Sequence, residues 1–166
     1  MVIMVLGDPY EFSIFIQTIE EWNINDSFCN GILFFGINGD IYPKEIVSAT
    51  LKYEIPVLEE NLLNITIDNE LYYMQKEKAY KKIYNITFPE DIDIGNDYRY
   101  EISPTIFSDN DYYIFAVSNG ERVRILASKL NYIIEESRHE LENIDISEVF
   151  IDIEYLNKII SKLKIY

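Results

Sequence analysis

The chain has 166 residues, of which 48% are hydrophobic, 14% aromatic and 26% charged; this excludes a disordered or collagen-like chain and is long enough to close a core without disulfides or metals. Its 29 acidic and 14 basic residues leave a net charge of −15, a field that repels nucleic acids and anionic membranes and draws basic partners at salt-dependent rates. A single cysteine, Cys29, excludes an internal disulfide, a zinc pattern of paired cysteines and a Cys-x-x-Cys redox pair, which fits a reducing, cytoplasmic setting.

In chain order, the apolar stretch from Met1 to Gly7 is too short for a signal-peptide core or a membrane span and reads as a first strand. The Ile- and Phe-rich segments Phe12 to Ile19 and Gly31 to Ile37 read as strands, and Asn38-Gly39 is a two-residue turn signal leading into Asp40-Ile41-Tyr42, hence a hairpin. A short helix is expected over Pro56 to Leu63. Another is expected from about Tyr73 to Tyr84, where Ala79, Tyr80, Ile83 and Tyr84 share a face and Glu77 stands one turn before Lys81.

Tyr98, Tyr100 and Ile102 alternate with Arg99 and Glu101, the pattern of a half-exposed strand stopped by Pro104. Tyr112 to Ser118 and Glu121 to Ala127 form a second expected hairpin around Asn119-Gly120. Its first strand is apolar on both faces and belongs in the middle of a covered sheet. In its second strand Arg122 and Arg124 alternate with Val123 and Ile125, which predicts one wet face. Asp152 is placed to cap a last helix with Leu156, Ile159, Ile160 and Leu163 on one face and Lys158, Lys162 and Lys164 toward its end. No linker or repeat interrupts the chain. The expectation is one α+β domain over residues 1–166, a mainly antiparallel sheet packed by the C-terminal helix and one or two shorter helices.

Catalytic constellations are missing from the pattern. The only histidine, His139, sits in the charged run Glu135-Glu136-Ser137-Arg138-His139-Glu140 and reads as a solvated surface side chain. Glu135 and Glu136 one turn before it make at best a weak metal site, short of the three or four ligands a closed site takes. The segment Asp91 to Asp97 starts like a calcium loop, but Gly95 and Asn96 occupy its fifth and sixth positions and Ile102 stands where a bidentate Glu is needed, so it reads as an acidic solvated loop. No glycine pattern for phosphate or dinucleotide binding occurs. The sequence therefore predicts no catalytic residue, metal or cofactor. A small carboxylate-rich metal-dependent enzyme centred on His139 or Asp93, and a structural homo-oligomeric subunit, stay open as alternatives.

What remains is tyrosine and acid. The 14 tyrosines cluster at Tyr72-Tyr73, Tyr98-Arg99-Tyr100 and Tyr112-Tyr113, and residues 89–120 carry seven acids against one base. Aromatic anchors among carboxylates suit a basic protein partner, with charge supplying on-rate and rings supplying hot-spot energy.

Several segments carry a family resemblance. Gly7-Asp8-Pro9-Tyr10-Glu11-Phe12, Glu20-Glu21-Trp22-Asn23, Phe28-Cys29-Asn30-Gly31 and Gly39-Asp40-Ile41-Tyr42-Pro43 are of this kind, as are Asp97-Tyr98-Arg99-Tyr100 with Ser103-Pro104 and Asp111-Tyr112-Tyr113-Ile114-Phe115. Together they resemble the immunity protein 42 family of bacterial polymorphic-toxin and contact-dependent inhibition systems. That resemblance implies a small cytoplasmic protein that binds a cognate toxin and protects the producing cell, and it supplies no catalytic residues. With a basic toxin, of which a nuclease is one candidate, as partner, and neither nucleic acid nor membrane, the expected contact face is Asp91, Asp93, Asp97, Tyr98, Glu101, Asp109, Asp111 and Tyr112.

Overall fold

The structure, a computed structural model, describes residues 3–24 and 28–164; Met1 and Val2 of the expected first strand lie outside them. Strands β1 (Ile3–Gly7), β2 (Phe12–Thr18), β3 (Asn30–Ile37) and β4 (Asp40–Tyr42) form an antiparallel sheet in that order, with β5 (Ala49–Thr50) also paired to β3. Asn38 and Gly39 both take positive φ, 50° and 86°, which a two-residue turn matched to strand twist requires, so the first hairpin stands as expected. Phe12, Ile14 and Ile16 of β2 and Leu33, Phe35 and Ile37 of β3 line the inner face. On the outer face, Val5 lies beside Phe15, and Phe15 beside Phe34.

A second antiparallel sheet contains β6 (Tyr112–Ser118), β7 (Arg122–Lys129) and β10 (Ser147–Asp152) in the order β10-β7-β6. The turn between β6 and β7 is Asn119-Gly120, whose Asn119 Oδ1 accepts the backbone N–H groups of Glu121 and Arg122 at 3.0 and 2.8 Å. Strand alternation splits this sheet between two cores. Tyr112, Ile114, Ala116, Val123, Ile125, Ala127, Val149 and Ile151 join the first sheet, helix α1 (Leu51–Leu63) and helix α5 (Ile153–Leu163). Tyr113, Phe115, Val117 and Leu126 face the other way, onto α2 (Asn69–Tyr73) and α3 (Lys76–Thr87).

The expected double burial of Tyr112 to Val117 is present, but the central strand is β7. Among the described residues, only single bridges from Ile67 and Glu101 lie outside β6. Burial on both faces reports layers above and below a strand and says nothing of neighbours beside it.

The wet face expected for β7 is present at Arg122, which is exposed, but not at Arg124. Arg124 is 3% exposed. Its Nη1 donates to the carbonyl oxygens of Leu71, Tyr72 and Met74 at 2.9, 3.1 and 2.6 Å. Its Nε and Nη2 reach Glu148 Oε2 on β10 at 2.7 and 2.5 Å. A guanidinium has a planar fork of donors, which lets one charge be satisfied by a carboxylate on one side and the end of a helix on the other.

Those acceptors exist because the helix expected over Tyr73 to Tyr84 is broken. Asp68 Oδ1 accepts the Leu71 N–H at 3.0 Å and starts α2; Met74 is extended, and Gln75 caps α3 by accepting the Lys78 N–H at 3.1 Å. Helix α1 starts five residues before the expected Pro56, because Leu51, Ile55, Leu58 and Leu62 are all buried on one face and that burial outweighs the one backbone bond that Pro56 cannot donate. In α5 the expected apolar face is buried, yet Asp152 at the N-cap position makes no cap bond and instead accepts from Arg122 Nε at 3.0 Å.

The strand expected from Tyr98 to Ile102 is a turn closed by Glu101 N–H to Tyr98 C=O at 3.0 Å. One bridge, Glu101 to Phe115, ties it to β6. The turn leaves Glu101 half-buried instead of solvated, and desolvation pushes its carboxyl up to about 7. Beyond it, α4 (Thr105–Ser108) begins on a carboxylate from another helix: buried Glu54 of α1 accepts the N–H groups of Thr105 and Ile106 at 2.8 and 3.2 Å.

Two stability measurements follow from these buried charges. Arg124→Met leaves Glu148 and three carbonyls without their donor and should lower the unfolding free energy by about 3 kcal/mol, read from urea midpoints. Arg124→Lys should recover only part of that, since an ammonium cannot fork. Glu101 favours folding in its neutral form, so its contribution is complete below the unfolded carboxyl value and disappears as pH climbs through 7. Glu101→Gln should therefore match the wild type near pH 4 and be the more stable protein near pH 8; equal midpoints at both pH values would remove the buried-carboxyl assignment.

Candidate functional site

Strands β8 (Tyr132–Ile133) and β9 (Arg138–His139) form a small hairpin beyond β7, with Tyr132 directly opposite His139. This hairpin lays the His139 ring against α3 and the start of β6. The imidazole is not solvated as the sequence suggested: its side chain is 12% exposed, with Nδ1 2.7 Å from the Tyr84 hydroxyl and Nε2 2.8 Å from Asp111 Oδ1. With the ring neutral, Nε2–H donates to Asp111 and Nδ1 accepts the phenol proton. Burial pushes the Tyr84 hydroxyl up to about 12, so this phenol holds its proton.

Around His139 the aromatic rings meet mostly edge to face, with Tyr84 and Phe88 tilted. Tyr113 and Tyr132 each have their centroids 5.1 Å from it; Phe88 lies 5.1 Å from Tyr84, 5.3 Å from Tyr113 and 6.0 Å from Tyr98. Tyr84, Phe88, Tyr113, Tyr132 and His139 line an open groove of about 640 Å³ whose rim carries Glu90, Glu136 and Arg138. Arg138 is tied to Glu136 at 2.5 Å. Both nitrogens of His139 are engaged, so the Asp111–His139–Tyr84 chain fixes the shape of one wall of the groove. Among the described residues no group of three or more His, Cys, Asp or Glu is placed to hold a metal ion, and no helix is long and apolar enough to cross a membrane.

The expected contact residues fall into two sets. Asp91 and Asp93 are exposed on the loop that continues from Glu90 at the groove's rim, and Asp91 Oδ1 accepts the Asp93 N–H at 3.0 Å. Tyr98 is 56% exposed and accepts from Asn96 Nδ2 at 2.9 Å, while Asp97 is paired to Arg99 at 2.8 Å, a hydrogen bond that holds its carboxyl below the usual range. Asp109 is exposed at the end of α4.

The other three are used by the fold. Asp111, with a φ of 64°, holds His139, and Glu101 is half-buried. Tyr112 is fully buried at 0% exposure, donates its hydroxyl to Glu45 and accepts the Lys44 N–H at 3.0 Å; its ring is core and offers no surface to a partner. The sequence reading missed Tyr84, Phe88, Tyr132 and His139 as neighbours. They come from three separate stretches, and no local periodicity joins them.

A second recess, of about 450 Å³, lies on the outer face of the first sheet between Pro9, Phe15, Phe34 and Ile41. No charged side chain lines it.

The crystal structure of CdiI from Burkholderia dolosa AUO158 is similar in fold, with a TM-score of 0.77 and 24% sequence identity over 98% of this chain and 99% of that one. A comparison with curated protein sequences finds no match. The family model for immunity protein 42 matches residues 4–166, nearly the whole described structure including both sheets, the groove and the acidic loop; the chain belongs to the immunity protein 42 family.

Proposed function

We propose that this chain acts in the bacterial cytoplasm as a stoichiometric inhibitor of a cognate toxin, a basic protein of the nuclease class, by covering a working surface of that toxin with its own acidic face. Membership of an immunity family supports the inhibitory role. The basic partner is inferred from charge: the net charge of −15 is large for a domain of this size, and Glu90 lines the aromatic groove and leads directly into the exposed Asp91 and Asp93. An anionic surface next to ring anchors imitates the field a nucleic acid presents to its enzyme, while the rings give a protein-specific contact that a nucleic acid lacks. Asp91, Asp93, Asp97, Tyr98 and Asp109 form the proposed contact set, with Tyr112 withdrawn because it is buried.

The observation that carries this reading is an exposed acidic loop that continues from Glu90, itself at the edge of an aromatic groove. Its test is co-expression with the protein encoded immediately upstream, with toxicity followed against the ratio of the two chains. Protection should saturate at a fixed ratio; absence of both binding and protection would overturn the proposal. Asp91→Lys with Asp93→Lys should slow association about ten-fold at low salt and flatten its salt dependence with little change in stability, because neither carboxylate holds a distant element in place. Unchanged association kinetics would move the contact to another face.

A further inference from the structure

We infer that the groove between α3 and the β8–β9 hairpin receives one basic side chain of the toxin, an arginine or a lysine, seated among the Tyr84, Phe88, Tyr113 and Tyr132 rings. This rests on the proposed toxin-neutralising function and names the chemistry of its central contact.

Three features of the groove select a cation. The first is its lining: aromatic rings carry negative potential on their faces and hold ammonium or guanidinium groups within about 6 Å of the ring centre. The second is the charge around it. Glu90 stands at the rim, Asp111 lies behind the imidazole, and the loop from Glu90 leads to Asp91 and Asp93. The positive group lining the groove, Arg138, is already engaged by Glu136 through Nε at 2.6 Å and Nη2 at 2.5 Å. Lys81 on the adjoining helix is likewise paired, to Glu142 at 2.7 Å.

The third feature is rigidity. The hydrogen-bonded chain from Asp111 through His139 to Tyr84 locks one wall, and Phe88 is wedged between Tyr84, Tyr113 and Tyr98, so little ordering remains to be done when a side chain enters. The recess on the outer sheet face shows the contrast. It is apolar, has no carboxylate in its lining and gives a cation nothing to replace its water.

The test uses the purified full chain titrated calorimetrically with a catalytically inactive form of the toxin domain encoded immediately upstream. Tyr132 is half exposed on a two-residue strand, so its variants leave the core intact, which a thermal unfolding midpoint verifies. Tyr132→Leu should weaken binding about ten-fold, Tyr132→Phe should stay within about two-fold of wild type because the ring is kept, and Glu90→Gln should weaken binding several-fold at low salt and less at high salt. In the wild-type complex one Arg or Lys of the toxin should be shielded from phenylglyoxal or acetic anhydride, and Tyr132→Leu should unshield it.

Wild-type affinity in Tyr132→Leu and Glu90→Gln, with binding otherwise intact, would overturn the groove assignment and leave the immunity reading standing. Equal losses in Tyr132→Leu and Tyr132→Phe would assign the contact to the hydroxyl and overturn the cation. Failure of the wild-type chain to bind the toxin at all would remove the function on which the inference rests, and the inference with it.

Discussion

A single buried guanidinium sets the arrangement of the second half of the molecule. Arg124 lies on the middle strand of a sheet covered on both faces, where an unpaired charge would cost several kcal/mol. It is tolerated because Glu148 on the neighbouring strand supplies a carboxylate and the end of α2 supplies three carbonyls. The helical run must stop at Met74 for those carbonyls to be free of helix bonds. The same stop lets α3 start afresh at Lys76 and lie across the sheet, with Tyr80 packed on Phe115 at 5.2 Å and its hydroxyl donating to the Tyr113 carbonyl at 3.0 Å. One turn further along α3 is Tyr84, the wall of the groove. The geometry of the surface thus traces back to the satisfaction of one interior charge.

Features that depend on near neighbours in the chain were legible in the sequence. Asn38-Gly39 and Asn119-Gly120 declare their hairpins because left-handed backbone is cheap there, and α5 declares itself by an apolar face repeated at helical spacing. Misreadings occur where a distant partner decides. Arg124 alternating with Val123 and Ile125 looks like a solvated face, since the pattern contains neither Glu148 nor the end of α2. His139, inside a run of charges, looks solvated because Tyr84 and Asp111 stand 55 and 28 residues away in sequence. Glu101 alternates as a strand residue should, yet the chain turns there and draws its carboxyl inward. Each error treats a polar side chain as facing water when tertiary structure supplies a partner or a cover.

The acidic residues divide by the same criterion. Asp40 accepts from Ser147 across the two sheets at 2.6 Å, Asp68 starts α2, Glu54 starts α4 and Asp111 holds His139. These carboxylates are committed to holding the fold, and moving any of them would disturb structure before it disturbed recognition. Asp91 and Asp93 do no more than close a local turn, while their charges add to a self-repulsion that the compact state must bear. Structural need accounts for the first set and leaves the second unexplained, which is why the second set bears the argument for a basic partner.

The two recesses show how one chain separates its surfaces by charge. Along the outer face of the first sheet, residues alternate with a packed inner face and stay apolar, so that face offers only nondirectional burial to whatever approaches. The groove beside α3 combines rings with carboxylates at its edge and is stiffened by an imidazole that bonds on both sides. Burial alone discriminates weakly among partners; a partner lacking a correctly placed cation would desolvate the Glu90 carboxylate at the groove's edge without supplying a charge to compensate it. On the proposed function, selectivity for one toxin over another would belong to the groove, where the wrong surface is penalised as well as the right one favoured.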